Sequence, residues 1–253
     1  MAATYYKKPA LRVVFLASIF LVLAAFAAAT SENDELEAAA AKIQLKLGSA
    51  FRAPYIVPPN GGIAWEKLKR LESRLNIDFT FAEMPAARAI ALADHGVLDG
   101  DFLRVEAVGL THPNLIRVPH VFAVHDIAVF SWRPELQVNS FEELETFEDY
   151  VIATKIGRKF LESKTQNLKN HLLVTELDQL FKLLEARRSD FVLLDRMSAY
   201  TALGDRLGKT IFEVSPKPLI SLKLYLYLNK KHAALVPEIM QAVQQIEAAN
   251  RPH

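Results

Sequence analysis

Residues 85–104, PAARAIALADHGVLDGDFLR, and residues 176–195, ELDQLFKLLEARRSDFVLLD, carry one pattern twice, about ninety residues apart. Each copy runs from an amphipathic helix through a tight turn to an aspartate, Asp99 or Asp190, and on into a short apolar strand. That order is the second half of a β-α-β unit. Five residues beyond each aspartate stands a charged side chain, Arg104 in the first copy and Asp195 in the second. Both positions fall at the carboxyl end of a parallel strand, the edge at which open α/β sheets hold ligands.

The flanking sequence completes the units. Residues 42–48 alternate apolar and polar side chains, as a half-buried strand does. Three prolines and two glycines make residues 51–62 a loop. Trp65, Leu68, Leu71 and Leu75 mark one helix face, and 77–81 reads as the next strand. The chain then passes through 111–114 into 116–121. The extended apolar run 123–132 lacks linker punctuation and carries the chain into a second lobe.

Ser140 and Glu143 have the spacing of a capping box. A strand at 150–154, a turn at 155–157, a helix at 158–168 and a strand at 172–174 follow. Leu177, Leu180, Phe181 and Leu184 then give a helical stripe. The second lobe is complete near Leu207. The alternating strand 220–228 and the helix after Pro237, with Ile239, Val243 and Ile246 on one side, therefore cross back to the first. The expected fold is α/β and two-lobed, each lobe a mostly parallel sheet flanked by helices, with a two-strand hinge. Lobe 1 comprises 42–125 plus 220–253, and lobe 2 comprises 126–219.

Composition narrows the function. The chain has 253 residues, 51% of them hydrophobic, which suffices for a large core or two small ones. Lys7, Lys8 and Arg12, the apolar run 13–26 and Ala27–Ala29 form a secretory signal pattern over 1–29. An acidic, alanine-rich leader follows at 30–41. Export to the periplasm is the expectation; an uncleaved membrane anchor is the alternative. Without those three cations the balance is 27 basic against 29 acidic residues, which offers nucleic acid no basic surface. There is no cysteine, so lipoprotein anchoring, disulfides, cysteine metal sites and thiol catalysis are excluded. His120 and His125, five apart in an extended run, face opposite sides, which disfavours a shared metal. No H-E-x-x-H, glycine-rich phosphate loop or G-x-S-x-G occurs, and no cofactor is expected.

Five residues are candidates for ligand binding. Arg104 can grip a carboxylate in a two-pronged pair, or instead be exposed or pair with Asp101 or Glu106. Asp195 can receive an ammonium group or cap the following helix. Arg88, in the first helical turn after Pro85, can face a ligand or solvent. Tyr55 can enclose a ligand or pack its loop onto the core. Gly157, in the turn Lys155-Ile156-Gly157 ahead of a helix, can expose backbone N–H groups to an anion.

The signal, the strand leading to Ala53-Pro54-Tyr55, the helix from Trp65 to Leu75, Asp99 before a strand, the segment Ser140 to Leu144, and Asp190 through Asp195 together resemble the family 3 periplasmic solute-binding proteins. The resemblance covers most of the chain from Ile43 onward. It implies a periplasmic-binding-protein-like fold of type II, whose two lobes close over a small polar or zwitterionic, amino-acid-like ligand, Arg104 holding its carboxylate and Asp195 its amine, in a monomer that delivers it to an ABC-type importer. In that family an arginine near a threonine-rich turn binds the ligand carboxylate. The corresponding stretch here, Glu106 to Asn114, has no arginine. Either Arg104 substitutes, or the ligand is not an α-amino acid. The family's amine-binding aspartate matches Asp195, whereas its glycine-threonine turn is replaced by Ile156-Gly157-Arg158. Two other functions fit the same fold. One is a dehydratase on cyclic acids with Glu106 as acid or base, and the other is a sensor held by its N-terminal helix.

Overall fold

A computed structural model describes residues 42–57 and 61–249. The expected signal peptide and leader lie outside the described residues, and so do residues 58–60 of the proline loop. Among the described residues no helix is long and apolar enough to cross a membrane. Residues 42–44 with Asn76–Asp78 form a small unit of their own, in which Lys42 Nζ and Gln44 Nε2 each donate to Asp78 at 3.0 Å. Residues 45–75 and 79–249 form the other unit.

The strands are β1 (Ile43–Ser49), β2 (Ile77–Glu83), β3 (Gly100–Arg104), β4 (Leu115–Arg117), β5 (Ala123–Ser131), β6 (Ile152–Lys155), β7 (His171–Val174), β8 (Phe191–Asp195), β9 (Phe212–Glu213) and β10 (Ile220–Asn229). The helices are α1 (Ile63–Glu72), α2 (Ala86–Asp94), α3 (Val108–Thr111), α4 (Phe141–Thr146), α5 (Lys159–Thr165), α6 (Leu177–Glu185), α7 (Arg196–Leu203) and α8 (Leu235–Ala249). They build a sheet of order β2-β1-β3-β10-β5-β8-β6-β7, with β4 on β10 and β9 on β5. Pairing is parallel for β1 with β3, β6 with β8 and β6 with β7. In the middle β5 and β10 run antiparallel, Ala123–Ile127 against Ile220–Leu224. Beyond that stretch β5 continues onto β8 and β10 onto β3, so two strands join the halves of the sheet.

The repeated aspartate has the same work in both copies. Asp99 donates its N–H to the Lys46 carbonyl at 2.9 Å, and its Oδ2 accepts the Lys46 N–H at 2.8 Å. Asp190 donates to the Val151 carbonyl at 2.8 Å, and its Oδ2 accepts the Val151 N–H at 2.9 Å. Each clamp sits one residue ahead of a parallel register, Leu47 with Gly100 and Ile152 with Phe191. A carboxylate supplies the acceptor at the point where the ladder has no next carbonyl.

Helix faces follow their apolar stripes. Leu180, Phe181 and Leu184 of α6 pack on Ala128, Phe130, Val192 and Leu194 from one side of β5 and β8. Ile127, Val129, Phe191 and Leu193 pack on Phe141, Leu144 and Leu161 from the other. These strands are buried on both faces, which is why their sequences are continuously apolar. In the first half α2 lies close on β1: a Cβ on Gly48 would come within 2.9 Å of the Ala89 Cβ. The alanine-rich face of α2 makes that approach possible.

Local details differ from the sequence expectation for identifiable reasons. Ser140 Oγ accepts the Glu143 N–H at 3.0 Å, but Glu143 reaches back to the Asn139 N–H at 2.6 Å, not to Ser140. The helix expected over 158–168 is the shorter α5. Within 116–121 only Ile116 and Arg117 belong to β4; the Val118 N–H still reaches the Leu226 carbonyl at 2.9 Å, and Pro119 then has no N–H to give a ladder. In β3, Tyr225 faces Arg104 while Leu226 faces Phe102, so Leu103 is an inserted bulge residue with φ 66°.

The clamp yields a prediction. Asp190→Ala leaves the Val151 N–H without its acceptor and should cost about 1–3 kcal/mol in urea unfolding. Asp190→Asn keeps an oxygen there and should cost clearly less. Equal losses in the two variants would show that the hydrogen bond is not what matters.

Candidate functional site

The turns at the carboxyl ends of β1, β2, β6, β7 and β8 surround a cavity of about 750 Å³. Its walls are Ala50–Ala53 and Tyr55, Glu83–Ala86, Lys155–Arg158, Thr175–Leu177, Leu194 and Ser198. Both copies of the sequence repeat therefore contribute, at the edge where α/β sheets place ligands. The volume is that of a small-molecule site.

Charge is distributed unevenly over these walls. Arg52 Nε and Glu83 Oε1 pair at 2.6 Å. Glu176 heads α6 in a capping box, with its own N–H donating to Gln179 Oε1 at 3.2 Å. Lys155 and Arg158 differ: among the described residues neither side chain has an ion-pair or hydrogen-bond partner. The Arg158 guanidinium stands 5.6 Å from the Phe51 ring centroid. Burial pushes its pKa down, and attraction to Asp195 and to Tyr55 opposes that.

Directly behind the wall lies a buried polar cluster. Asp195 ends β8, caps α7 and is 1% exposed. Its Oδ2 accepts the Ser198 N–H at 2.8 Å, and its Oδ1 accepts the Tyr55 hydroxyl at 2.6 Å. The His125 Nδ1 lies 3.2 Å from the same Oδ1 but makes no hydrogen bond of good geometry. Burial, reinforced by the negative charge of Asp195, raises the Tyr55 pKa far above the ordinary phenol value. Burial pushes His125 down to about 4, helped by Arg158 and opposed by Asp195 and Asp126. The imidazole is neutral at pH 7.

The structure thus brings Tyr55, Gly157 and Asp195 together at the cavity. Arg88 is exposed on the first turn of α2 and does not line it. Arg104 lies behind the wall, its Nε on Asp101 Oδ2 at 2.5 Å and its Nη2 on the Ala86 carbonyl at 3.0 Å. Asp101 is fully buried, and that burial raises its pKa to about 6 against the opposing pull of Arg104. Glu106 is exposed, pairs with Arg117 and is outside the cavity.

Lys155, Arg158 and His125 were not singled out as binding residues by the sequence. The available signal for Arg158 was its place directly after Gly157 at a strand end, the same positional argument that selected Asp195.

No protein-family model matches the chain, and no curated protein sequence matches it. Solved structures do. The "probable amino-acid ABC transporter extracellular-binding protein ytmK" of Bacillus subtilis superposes with TM-score 0.63 at 16% identity, covering 82% of this chain and 94% of that one. The arginine-bound form of truncated ArgBP from T. maritima gives 0.60 at 18% identity, covering 84% and 99%. AncCDT-1, an ancestral amino-acid-binding protein described as a precursor of cyclohexadienyl dehydratase, gives 0.61 at 16% identity, covering 85% and 92%. At these identities the likeness establishes the fold: the chain has the two-lobed architecture of periplasmic binding proteins.

The cluster behind the wall predicts a pH dependence. The folded pKa of His125, about 4, lies below its ordinary 6.5, so the unfolded chain takes up that proton first as pH falls. Its contribution is complete above about pH 6.5 and is lost between there and pH 4. Asp101, raised to about 6, acts in the opposite sense and is common to both proteins in a comparison. His125→Gln should therefore lose less stability than the parent from pH 6.5 to 4 in denaturant titrations. Parallel curves would exclude His125 as the source.

Proposed function

We propose that this chain is an exported solute-binding protein that closes on a small polar molecule bearing a carboxylate and delivers it to an ABC-type importer. The observation that carries this reading is the Arg158 guanidinium, without an ion-pair or hydrogen-bond partner among the described residues, in a cavity built from both copies of the repeat. A guanidinium 5.6 Å from the Phe51 ring centroid, with no hydrogen-bond partner among the described residues, is suited to a two-pronged hold on a carboxylate. The neighbouring binding proteins of the same fold support the transport role.

In this reading the lobes are 42–125 with 220–253, and 126–219, and they hinge on β5 and β10. Tyr55 and Gly157 meet the ligand, and Asp195 sets the wall from behind. Arg104 acts indirectly by holding the Ala86 carbonyl at the start of α2. Arg88, exposed on the first turn of α2, is left without a role in the cavity wall. The protein works as a periplasmic monomer, without a cofactor. The dehydratase alternative draws on AncCDT-1, but the carboxylate it would use, Glu106, is paired with Arg117 outside the cavity. That placement favours binding over catalysis.

Calorimetry of the purified chain against amino acids, polyamines and organic acids should give heat with at least one carboxylate-bearing compound. Arg158→Gln should weaken that compound by about 1.5–3 kcal/mol, the range for a hydrogen bond to a charged group. Heat only from polyamines, or unchanged affinity in the variant, would refute the assignment of Arg158.

A further inference from the structure

Resting on the binding-protein reading, we infer that the ligand is a small carboxylic acid without an ammonium group, an oxo, hydroxy or dicarboxylic acid and not an α-amino acid. A zwitterion needs two charged partners, and the cavity wall carries cations in excess, Arg52, Lys155 and Arg158 against Glu83 and Glu176. Of the cations on the cavity wall, Arg52 is held by Glu83 at 2.6 Å, while Lys155 and Arg158 have no partner among the described residues. Of the carboxylates on the wall, Glu83 is in that pair, and Glu176 stands at the head of α6, where the backbone donors of the helix start compete for its negative charge.

Asp195 is the carboxylate to which the resemblance assigns an amine, and it is already satisfied. Its oxygens take the Ser198 N–H and the Tyr55 hydroxyl, His125 lies against it, and it is 1% exposed. The tyrosine hydroxyl occupies the place an ammonium donor would take. An incoming amine would have to displace it from its 2.6 Å bond and leave the buried phenol only the longer contact to the Val124 carbonyl, 3.2 Å away, a costly exchange. The amine would also stand close to Arg158, whose charge repels it.

A carboxylate meets no such obstacle. It completes the free donors of Arg158 and reaches the compact charge of Lys155. A second carboxylate, where present, uses whichever of the two cations the first leaves open. Ala50, Phe51, Pro85, Leu177 and Leu194 line the rest and suit a carbon skeleton without further charge.

The test is calorimetry of the full chain with acids matched to their 2-amino counterparts: 2-oxoglutarate with glutamate, succinate with aspartate, pyruvate with alanine, and phenylpyruvate with phenylalanine. The expected result is at least one amine-free acid bound tenfold or more tighter than its partner. Arg158→Gln should weaken it at least tenfold and Arg158→Lys less, with thermal unfolding confirming that both variants are folded. Tyr55→Phe, which strips the hydroxyl from Asp195, should narrow the gap in favour of the amino acid. An amino acid bound as tightly as its matched acid, or tighter, overturns this inference and leaves the binding-protein reading standing. Silence from all four pairs, together with silence from the broader panel, removes both.

Discussion

The paired backbone clamp of Asp99 on Lys46 and of Asp190 on Val151 is the constraint from which the rest of the sheet is laid out. A parallel pair has no hairpin turn to fix its register, so a one-residue slip would exchange the faces of the whole strand. Each aspartate closes a ring with the neighbouring strand one step before the ladder starts. That sets β3 against β1 and β8 against β6. From there the length of the strand alone decides what arrives at the carboxyl edge, Arg104 in one half and Asp195 in the other.

The two arrivals are used differently because their strands end differently. In β8 the ladder is regular, and Asp195 ends it buried at the helix start, where backbone donors of α7 and the Tyr55 hydroxyl are in reach. In β3 the left-handed Leu103 interrupts the alternation. Residues three apart in a regular strand point to opposite faces, and the extra residue turns Arg104 onto the side of Asp101 instead. The arginine is thereby spent on a buried carboxylate and on the Ala86 carbonyl, which fixes the start of α2. A buried charge stripped of its partner costs far more than a surface one, so this pair is structural in its energetics.

Where periodicity carries the information, the sequence was legible. The alternation of 220–228, the apolar strands ending at Arg104 and Asp195, and the stripe Leu177, Leu180, Phe181, Leu184 all became the elements expected of them. The matching roles of Asp99 and Asp190 were visible as a repeated letter, though not as a hydrogen-bonded ring. What was not legible depends on single backbone angles or on distant partners. Nothing in an apolar strand announces that Leu103 adopts φ 66°, a conformation a leucine avoids unless its surroundings impose it. Arg158 read as the first residue of a helix. Its meaning comes from Phe51, Tyr55 and Asp195, which the fold gathers from far-apart parts of the chain.

This gathering also explains how a cavity with two cations unpaired among the described residues can sit against a buried carboxylate without the charges neutralising each other. Asp195 attracts Arg158, and that attraction offsets part of the cost of burying the guanidinium. Yet the donors that complete Asp195 are a hydroxyl and a backbone N–H, both neutral, with a neutral imidazole beside them. Each oxygen of the carboxylate thus has a hydrogen bond from a neutral donor, so its hydrogen bonding does not cancel its charge. Arg158 is in the converse state, held by a field but without side-chain hydrogen-bonding partners among the described residues. A ligand that brings negative charge and two acceptor oxygens supplies what the guanidinium lacks without disturbing the cluster behind it. A positive charge seated on Asp195 itself would have to dismantle that cluster first, and the same burial that makes His125 hard to protonate makes this costly.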